Sequence, residues 1–300
     1  MGNDIEQADE FTIGFLLAPR LNAAGRLHHA SLAVELLMAS DAVEARALAE
    51  QLHNINQDRQ RLTEVAMTEA LEQVDPERDR SAAAAFAPHW SPGIVGLVAG
   101  RLADRLWRPV VVMAENDGEI VGSGRSIPGV DIMQVMDDGR HHFARYGGHP
   151  GACGFTLASV DGREAFVTWF QERMKTAWEP ETTVKEIAVD ARATLEDISA
   201  DALDMLDRLG PYGIEHRRPL VVIENVQVTD ASTVGAEGKH IRVRLLDQGI
   251  RRSAIGFRLR HLLDVCTPGA RIDVVVEPSW NTWQGRREPQ LKIIDLRLHA

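Results

Sequence analysis

From Leu220 to the C-terminus the sequence holds strand signals and no helical period, whereas residues 81–178 alternate between the two. This change of pattern constrains the fold more than any single motif does. The C-terminal segments LVVIENVQVT, KHIRVRLLD, RRSAIGFRL, RIDVVVEPSW and QLKIIDLRL are rich in β-branched residues, with turn residues between them. Five strands in about 80 residues predict a small barrel. Upstream, SAAAAFA and PVVVMA read as strands around a helix that opens at Ser91-Pro92, a cap residue followed by Pro. EIVGSGRS reads as a strand running into a Gly-rich turn, DIMQVMDDGRHHFARY as a helix and CGFTLA as a strand. GREAFVTWFQERMKTAW reads as an amphipathic helix with Phe166, Phe170 and Met174 inward. Such alternation predicts a small α/β domain.

Before this domain, FTIGFLLAPRLNAAGRL and HHASLAVELLMAS form an apolar-periodic helical region. A long helix then opens at Asp41, with Glu44 three residues on, and runs to about Val74, where Asp75-Pro76 stops it. Leu48, Leu52, Ile55, Leu62 and Ala66 keep a seam interrupted by Arg59, too broken for a coiled coil, so the helix is read as a connection. WEPETTVKEIAVDARATLEDI reads as a linker carrying one strand, and ADALDMLDRLG as a short helix ended by Gly210-Pro211. The expected class is therefore α/β plus all-β. It comprises a long connecting helix, a small α/β domain and a C-terminal OB-like five-stranded barrel. The expected boundaries are 1–40, 41–78, 79–178, 179–215 and 216–300.

The net charge of −11 argues against a generally basic nucleic-acid binder, but the charge is uneven. From His216 onward there are 14 Lys and Arg against 9 Asp and Glu, a net of +5, which leaves −16 on residues 1–215. A basic module on an acidic body fits a phosphate-bearing partner, because phosphate binding needs local positive charge. No apolar run approaches membrane-spanning length, and the acidic start MGNDIEQADEF is neither a secretory nor a transit signal. Cys153 and Cys266 lie far apart without metal-type spacing, as expected of a reduced, cytoplasmic protein.

Four stretches bring polar groups together. PRLNAAGRL offers Asn22 and Arg26 among small residues, with a plain surface arginine as the alternative. HWSPGIVG puts His89 and Ser91 at a helix N-terminus, where free N–H groups favour an anion, although Ser91 also suits a simple cap. GSGRS sets Arg125 and Ser126 between small residues, either to fork onto a phosphate or to form a hairpin turn. RYGGH reads either as a helix stop or as an anion nest in which Gly147 and Gly148 offer amides and His149 a ring donor. The adjacent pairs His28-His29 and His141-His142 are not read as metal ligands, since neighbours on a helix point about 100° apart. In the C-terminal module Arg242, Arg244, Arg258, Arg286 and Arg287 interleave with Phe257, Trp280 and Trp283. Arginines on phosphates and rings on bases suit single-stranded nucleic acid; a core tryptophan among solvated arginines is the alternative.

The order PRLNAAGRL, HWSPGIVGLVAGRLADRL, GSGRSIPGVDI, RYGGH and GFTL, with the tail WNTWQGRREPQLKIIDLR, resembles the C-terminal two-thirds of the RecJ family. These are single-strand-specific DNA exonucleases of the DHH phosphoesterase superfamily, and the likeness runs from about Phe11 to Leu298. It implies a metal-dependent 5′→3′ exonuclease acting in recombination and repair, with Mn²⁺ or Mg²⁺ held by a DHH domain. Residues 1–40 would be the end of that domain, 79–178 the DHH-associated domain and 216–300 the OB module. Asn22, Arg26, Ser91, Arg125, Ser126, Gly147, Gly148 and His149 would contact substrate phosphates. Arg242, Arg244, Arg258, Trp283, Arg286 and Arg287 would contact the strand.

Three departures matter. The family's Trp-His-Pro-Gly is HWSPG here, its Gly-Asn-Pro is GPYGIEHRRP, and no Asp-His-His triplet occurs. The catalytic and metal-binding residues are therefore expected upstream of Met1, with none in this chain and no hydrolysis by it alone. Expected partners are single-stranded DNA, a separate or missing DHH domain, a single-strand-binding protein and other repair factors, with no membrane. The alternative is a non-catalytic single-strand-binding module or nuclease accessory subunit. A small-nucleotide phosphodiesterase of the same superfamily is weaker, since a basic Trp-bearing tail suits a long strand.

Overall fold

The computed structural model describes residues 8–75, 78–179, 186–235, 237–283 and 286–299. The chain divides into two compact units, Met1–Lys185 and Glu186–Ala300. Among the described residues no helix is long and apolar enough to cross a membrane.

The first unit opens with a π-helical stretch, Thr12–Leu17, that runs into α1 (Ala18–Leu27). After α2 (Ser31–Met38) comes α3 (Ala42–Gln73), the long helix expected from sequence. The Asp41 carboxylate accepts from the N–H groups of Val43 and Glu44 at 2.9 Å each, satisfying two donors that no helical carbonyl can reach. Ala66, Met67 and Ala70 of α3 share a core with Ile94, Val95, Val98 and Leu102 of α4 (Pro92–Leu106). Exposed apolar side chains gather near the start of the chain, among them Phe11, Ile13, Phe15, Leu37 and Met38.

A five-stranded sheet organises the rest of the unit, built from β1 (Ala83–Ala87), β2 (Val110–Asn116), β3 (Glu119–Arg125), β4 (Phe143–His149) and β5 (Ala152–Leu157). Its order is β1-β2-β3-β5-β4; β1 and β2 are parallel across α4, and the other pairs are antiparallel. The unbroken apolar run of β2 follows from cover on both faces. Val110, Val112 and Ala114 meet the α4 core. Val111 and Met113 meet the opposite core, with α5 (Ile132–Asp138) and with Phe166, Phe170 and Met174 of α6 (Arg163–Ala177). Asp79 closes the edge of this unit, wholly buried, accepting from Arg78 Nε, Gln171 Nε2 and the Asp75 N–H.

Two expectations here need correction. RYGGH is neither a helix stop nor a turn, because α5 ends at Asp138 and Gly147-Gly148-His149 forms the last part of β4. GSGR is likewise not a hairpin turn but the end of β3, paired on both sides.

The second unit is a closed barrel. Strands β7 (Val221–Val234), β8 (His240–Asp247), β9 (Ile250–Gly256), β10 (Arg271–Trp283) and β11 (Arg286–Leu298) run in the order β7-β8-β9-β11-β10, and β10 pairs back onto β7. Only β9 and β11 are parallel among these. That order gives the OB-like barrel that the strand count predicted. A two-residue strand, β6 (Ala191–Arg192), adds to the edge of β7. Leu195 and Ile198 are buried in the barrel core, so the segment read as a linker packs into this unit, and Leu203 of α7 (Ala200–Arg208) is buried as well.

Candidate nucleic-acid interface

Strand register sets the geometry of the first site. Cross-strand rows run Ser123–Gly154–Gly147 and Arg125–Ala152–His149. Both rows lie on the sheet face that α4 covers further along, because Ser123 and Arg125 pair with Val112 and Val110, whose side chains enter the α4 core. Arg125 and His149 are thus two strands apart on one face, on the order of 10 Å. Ala152 lies between them, and the neighbouring row beside it is nearly bare backbone: a Cβ built on Gly147 or Gly154 would meet no atom within 4 Å. Gly148 is glycine for the opposite reason, since a Cβ there would collide with the Ala152 carbonyl oxygen across the strand pair.

Helix α4 forms one wall. Ser123 Oγ lies beside Gly96, Arg125 Nε beside Gly100, and the Arg26 carbonyl is pressed against Gly93. Seven residues separate Gly93 from Gly100, so Arg26 and Arg125 sit roughly 10 Å apart along the helix axis. Gly25, Arg26, Pro92, Gly93, Gly96 and Ser123 line an open depression of about 390 Å³ at the helix N-terminus. Ser91 occupies the N-cap position, but its hydroxyl makes no capping bond, which corrects the expectation of a cap and leaves that end of the helix open to an anion.

The hydrogen bonds sort the remaining candidates. Among the described residues Arg125, which is exposed, makes no ion pair, and the Arg26 guanidinium donates only to the Gly93 carbonyl at 3.4 Å. His149 Nδ1 accepts from the Gly151 N–H at 3.2 Å, which places the proton of the neutral ring on Nε2, the outward donor. The Ser126 hydroxyl donates to the Val130 carbonyl at 2.6 Å, so its proton is committed to the loop. His89 hydrogen-bonds Glu69, which also accepts from Trp90 Nε1. The Trp90 bond, then that to His89, holds the Glu69 carboxyl below its ordinary value despite some burial. Asn22 is exposed on α1 and Ala23 and Ala24 beside it are fully buried.

Sequence reasoning missed Ser123 and Arg59. Ser123 lines the depression with Arg26, and the alternation of β3 places it with Arg125. Arg59 has a buried Nε without a hydrogen-bond partner. Burial first, then the charges of Arg26 and Arg101, pushes its guanidinium pKa down. The sequence showed it only as a break in an apolar seam.

The barrel carries a second set of cations. Arg242 and Arg244 project from β8, alternating with buried Ile241, Val243 and Leu245. Arg244 lies 4.0 Å from Asp230 and, with Arg251, Arg252 and Ser253, lines a depression of about 470 Å³. These are the second and third barrel strands, the face on which OB folds take oligonucleotides. Arg287 is not a free cation, a correction to its expected role. It stacks over Trp280 at 4.0 Å and pairs with Asp204 at 3.1 Å and Asp207 at 2.5 Å. The side chains of Trp283 and Arg286 lie outside the described residues.

Among the described residues no group of three His, Cys, Asp or Glu side chains converges to hold a metal ion, so the residues present do not fit one. Cys153 and Cys266 are free and buried, and burial pushes both thiols up to about 11.

Family models match both units: a DHHA1 domain over residues 79–176 and a RecJ OB domain over residues 189–295. The chain belongs to the RecJ family. It is 35% identical over 301 residues to the single-stranded-DNA-specific exonuclease RecJ of Bacillus subtilis, covering 98% of this chain and 38% of that protein. RecJ of Thermus thermophilus is 31% identical over 286 residues, which is 95% of this chain and 40% of that one. The crystal structure of Thermus thermophilus RecJ in complex with Mn²⁺ superposes with a TM-score of 0.83 at 30% identity, covering 97% of this chain and 42% of that one. Its Mg²⁺ complex gives 0.80 at 29% identity, with 97% and 44% covered. The chain thus spans about two-fifths of these RecJ relatives, and it matches their C-terminal part.

Proposed function

We propose that this chain is the substrate-gripping part of a RecJ-type 5′→3′ single-stranded DNA exonuclease of recombination and repair, working in the cytoplasm. One observation carries the reading. Arg125 and His149 share a cross-strand row next to an open glycine floor, beside the uncapped N-terminus of α4, and Arg125 has no acidic partner among the described residues.

In this reading a backbone phosphate lies on the Gly147–Gly154 floor. Arg125 forks onto its oxygens and His149 Nε2–H donates to it, while Ser91 and the first amides of α4 take an adjacent oxygen or phosphate. Asn22, Arg26, Ser126 and Gly148 frame the same path, and the barrel holds the strand through Arg242, Arg244 and Arg258. The ion that cuts, Mn²⁺ or Mg²⁺ by analogy with the two crystal complexes, belongs with residues other than those described here, and no step is routed through it.

The test is fluorescence anisotropy on a labelled oligo(dT), with gel analysis of the same strand after incubation with Mn²⁺. Salt-dependent binding without shortening of the strand is expected, and removing Arg26 and Arg125 together should abolish most of it. Binding indifferent to salt and to both arginines would overturn the reading. Shortening by the chain alone would overturn the placement of the cutting groups elsewhere.

A further inference from the structure

Solvent-facing residues of β8 and β9 form a single track. Register pairs Arg244 with Ser253, Arg242 with Ile255 and Ile241 with Gly256, which brings His240 beside Phe257 at the end of the track. Each two-residue step advances roughly 6–7 Å. The rings of His240 and Phe257 meet edge to face, with centroids 5.3 Å apart and planes at 69°. Phe257 remains 51% exposed.

A single exposed phenylalanine needs no explanation; the support beneath this one does. Arg258 has φ of 62°, in the left-handed region that a long side chain rarely enters. Its N–H donates to His240 Nδ1 at 2.9 Å, a bond that holds the unusual backbone and fixes the tautomer of the ring under Phe257. Arg260 reaches across to the Gly238 carbonyl at 3.4 Å and ties the β7–β8 loop to the same corner. The surrounding charge is cationic. Arg242 and Arg258 have no acidic partner among the described residues, while Lys239 pairs with Glu237 and Arg244 faces Asp230. Trp280 on β10 has its face covered by Arg287.

We propose that Phe257, braced by His240, is a base-stacking platform for single-stranded nucleic acid, with Arg242 and Arg258 taking the flanking phosphates. The proposal rests on the single-strand reading above and gives it a residue that reads bases rather than phosphates. A ring flanked by Arg242 and Arg258, neither of which has an acidic partner among the described residues, suits an anionic, flat-faced ligand better than an apolar protein surface.

The experiment compares two strands of equal length and charge, oligo(dT) and its abasic sugar-phosphate counterpart, by anisotropy on the full chain. Phe257→Ala should weaken oligo(dT) binding about tenfold, leave the abasic strand unchanged, and be rescued by Phe257→Trp. Arg242→Ala should weaken both strands and flatten the salt dependence. Thermal melts confirm that each variant folds. If Phe257→Ala binds oligo(dT) like the wild type, or loses both strands equally, the platform is wrong while single-strand binding stands. A wild type that binds neither strand overturns the underlying reading instead.

Discussion

Arg125 ends a strand whose three preceding residues are two glycines and a serine, and Glu119 at the far end of that strand is paired with Arg145 instead. Replacing it with Ala should lower oligo(dT) affinity about tenfold and reduce the log–log salt slope by about 0.7, the share of one phosphate contact on a single strand. An unchanged slope would remove Arg125 from the phosphate contacts. The two glycines of β4 separate packing from binding. Gly148→Ala should cost about 1–3 kcal/mol in thermal or denaturant melts, because the added methyl meets the Ala152 carbonyl. Gly147→Ala meets no neighbour, so it should fold normally and weaken only phosphate binding. These residue types were legible from sequence, but their reason was not. GGH resembles a helix stop, and only strand pairing shows that one glycine avoids a clash while the other leaves room.

At the scale of elements, the sequence was readable wherever burial was periodic. Asp41, the long α3 and the doubly covered β2 follow directly from caps and apolar runs. Strand β4 did not, because Phe143 is its one fully buried residue and an edge strand with a polar, glycine-rich end carries no alternation to read. The role of Arg287 escaped for another reason: its aspartate partners lie 80 or more residues away on α7, a separation no local pattern reports. Helix α4 depends on contact of the same long-range kind. Gly93→Ala would drive a methyl into the Arg26 carbonyl and push α1 from α4. Circular dichroism melts should show a lower Tm, and anisotropy a weaker strand affinity, with both effects larger than for Ala at Gly147.

Across the whole molecule, each unit has its own core. In the barrel, burial pushes the Asp273 carboxyl up, but bonds from the Asn225 N–H, His299 and Arg297 outweigh it and leave it below its ordinary 3.8. A carboxylate lowered by folding adds stability above the unfolded value, and that contribution is lost as pH falls through the folded value. Barrel stability, followed by near-UV circular dichroism, should therefore drop below about pH 4. The drop should be shallower in Asp273→Asn, which starts less stable and has no proton to gain. Equal slopes would mean that other carboxylates govern the acid limb.

The glycine floor next to Arg125 and His149 has a kinetic meaning in the proposed function. Main-chain atoms present the same relief to any nucleotide, so a strand bound as proposed would be gripped without regard to its sequence. Because neither Gly147 nor Gly154 carries a side chain, a polymer bound as proposed would have little to climb over there when it advances by one unit. On the proposed reading, such a grip would hold by charge at its edges and stay smooth along its length, so that a strand could be moved stepwise without being let go.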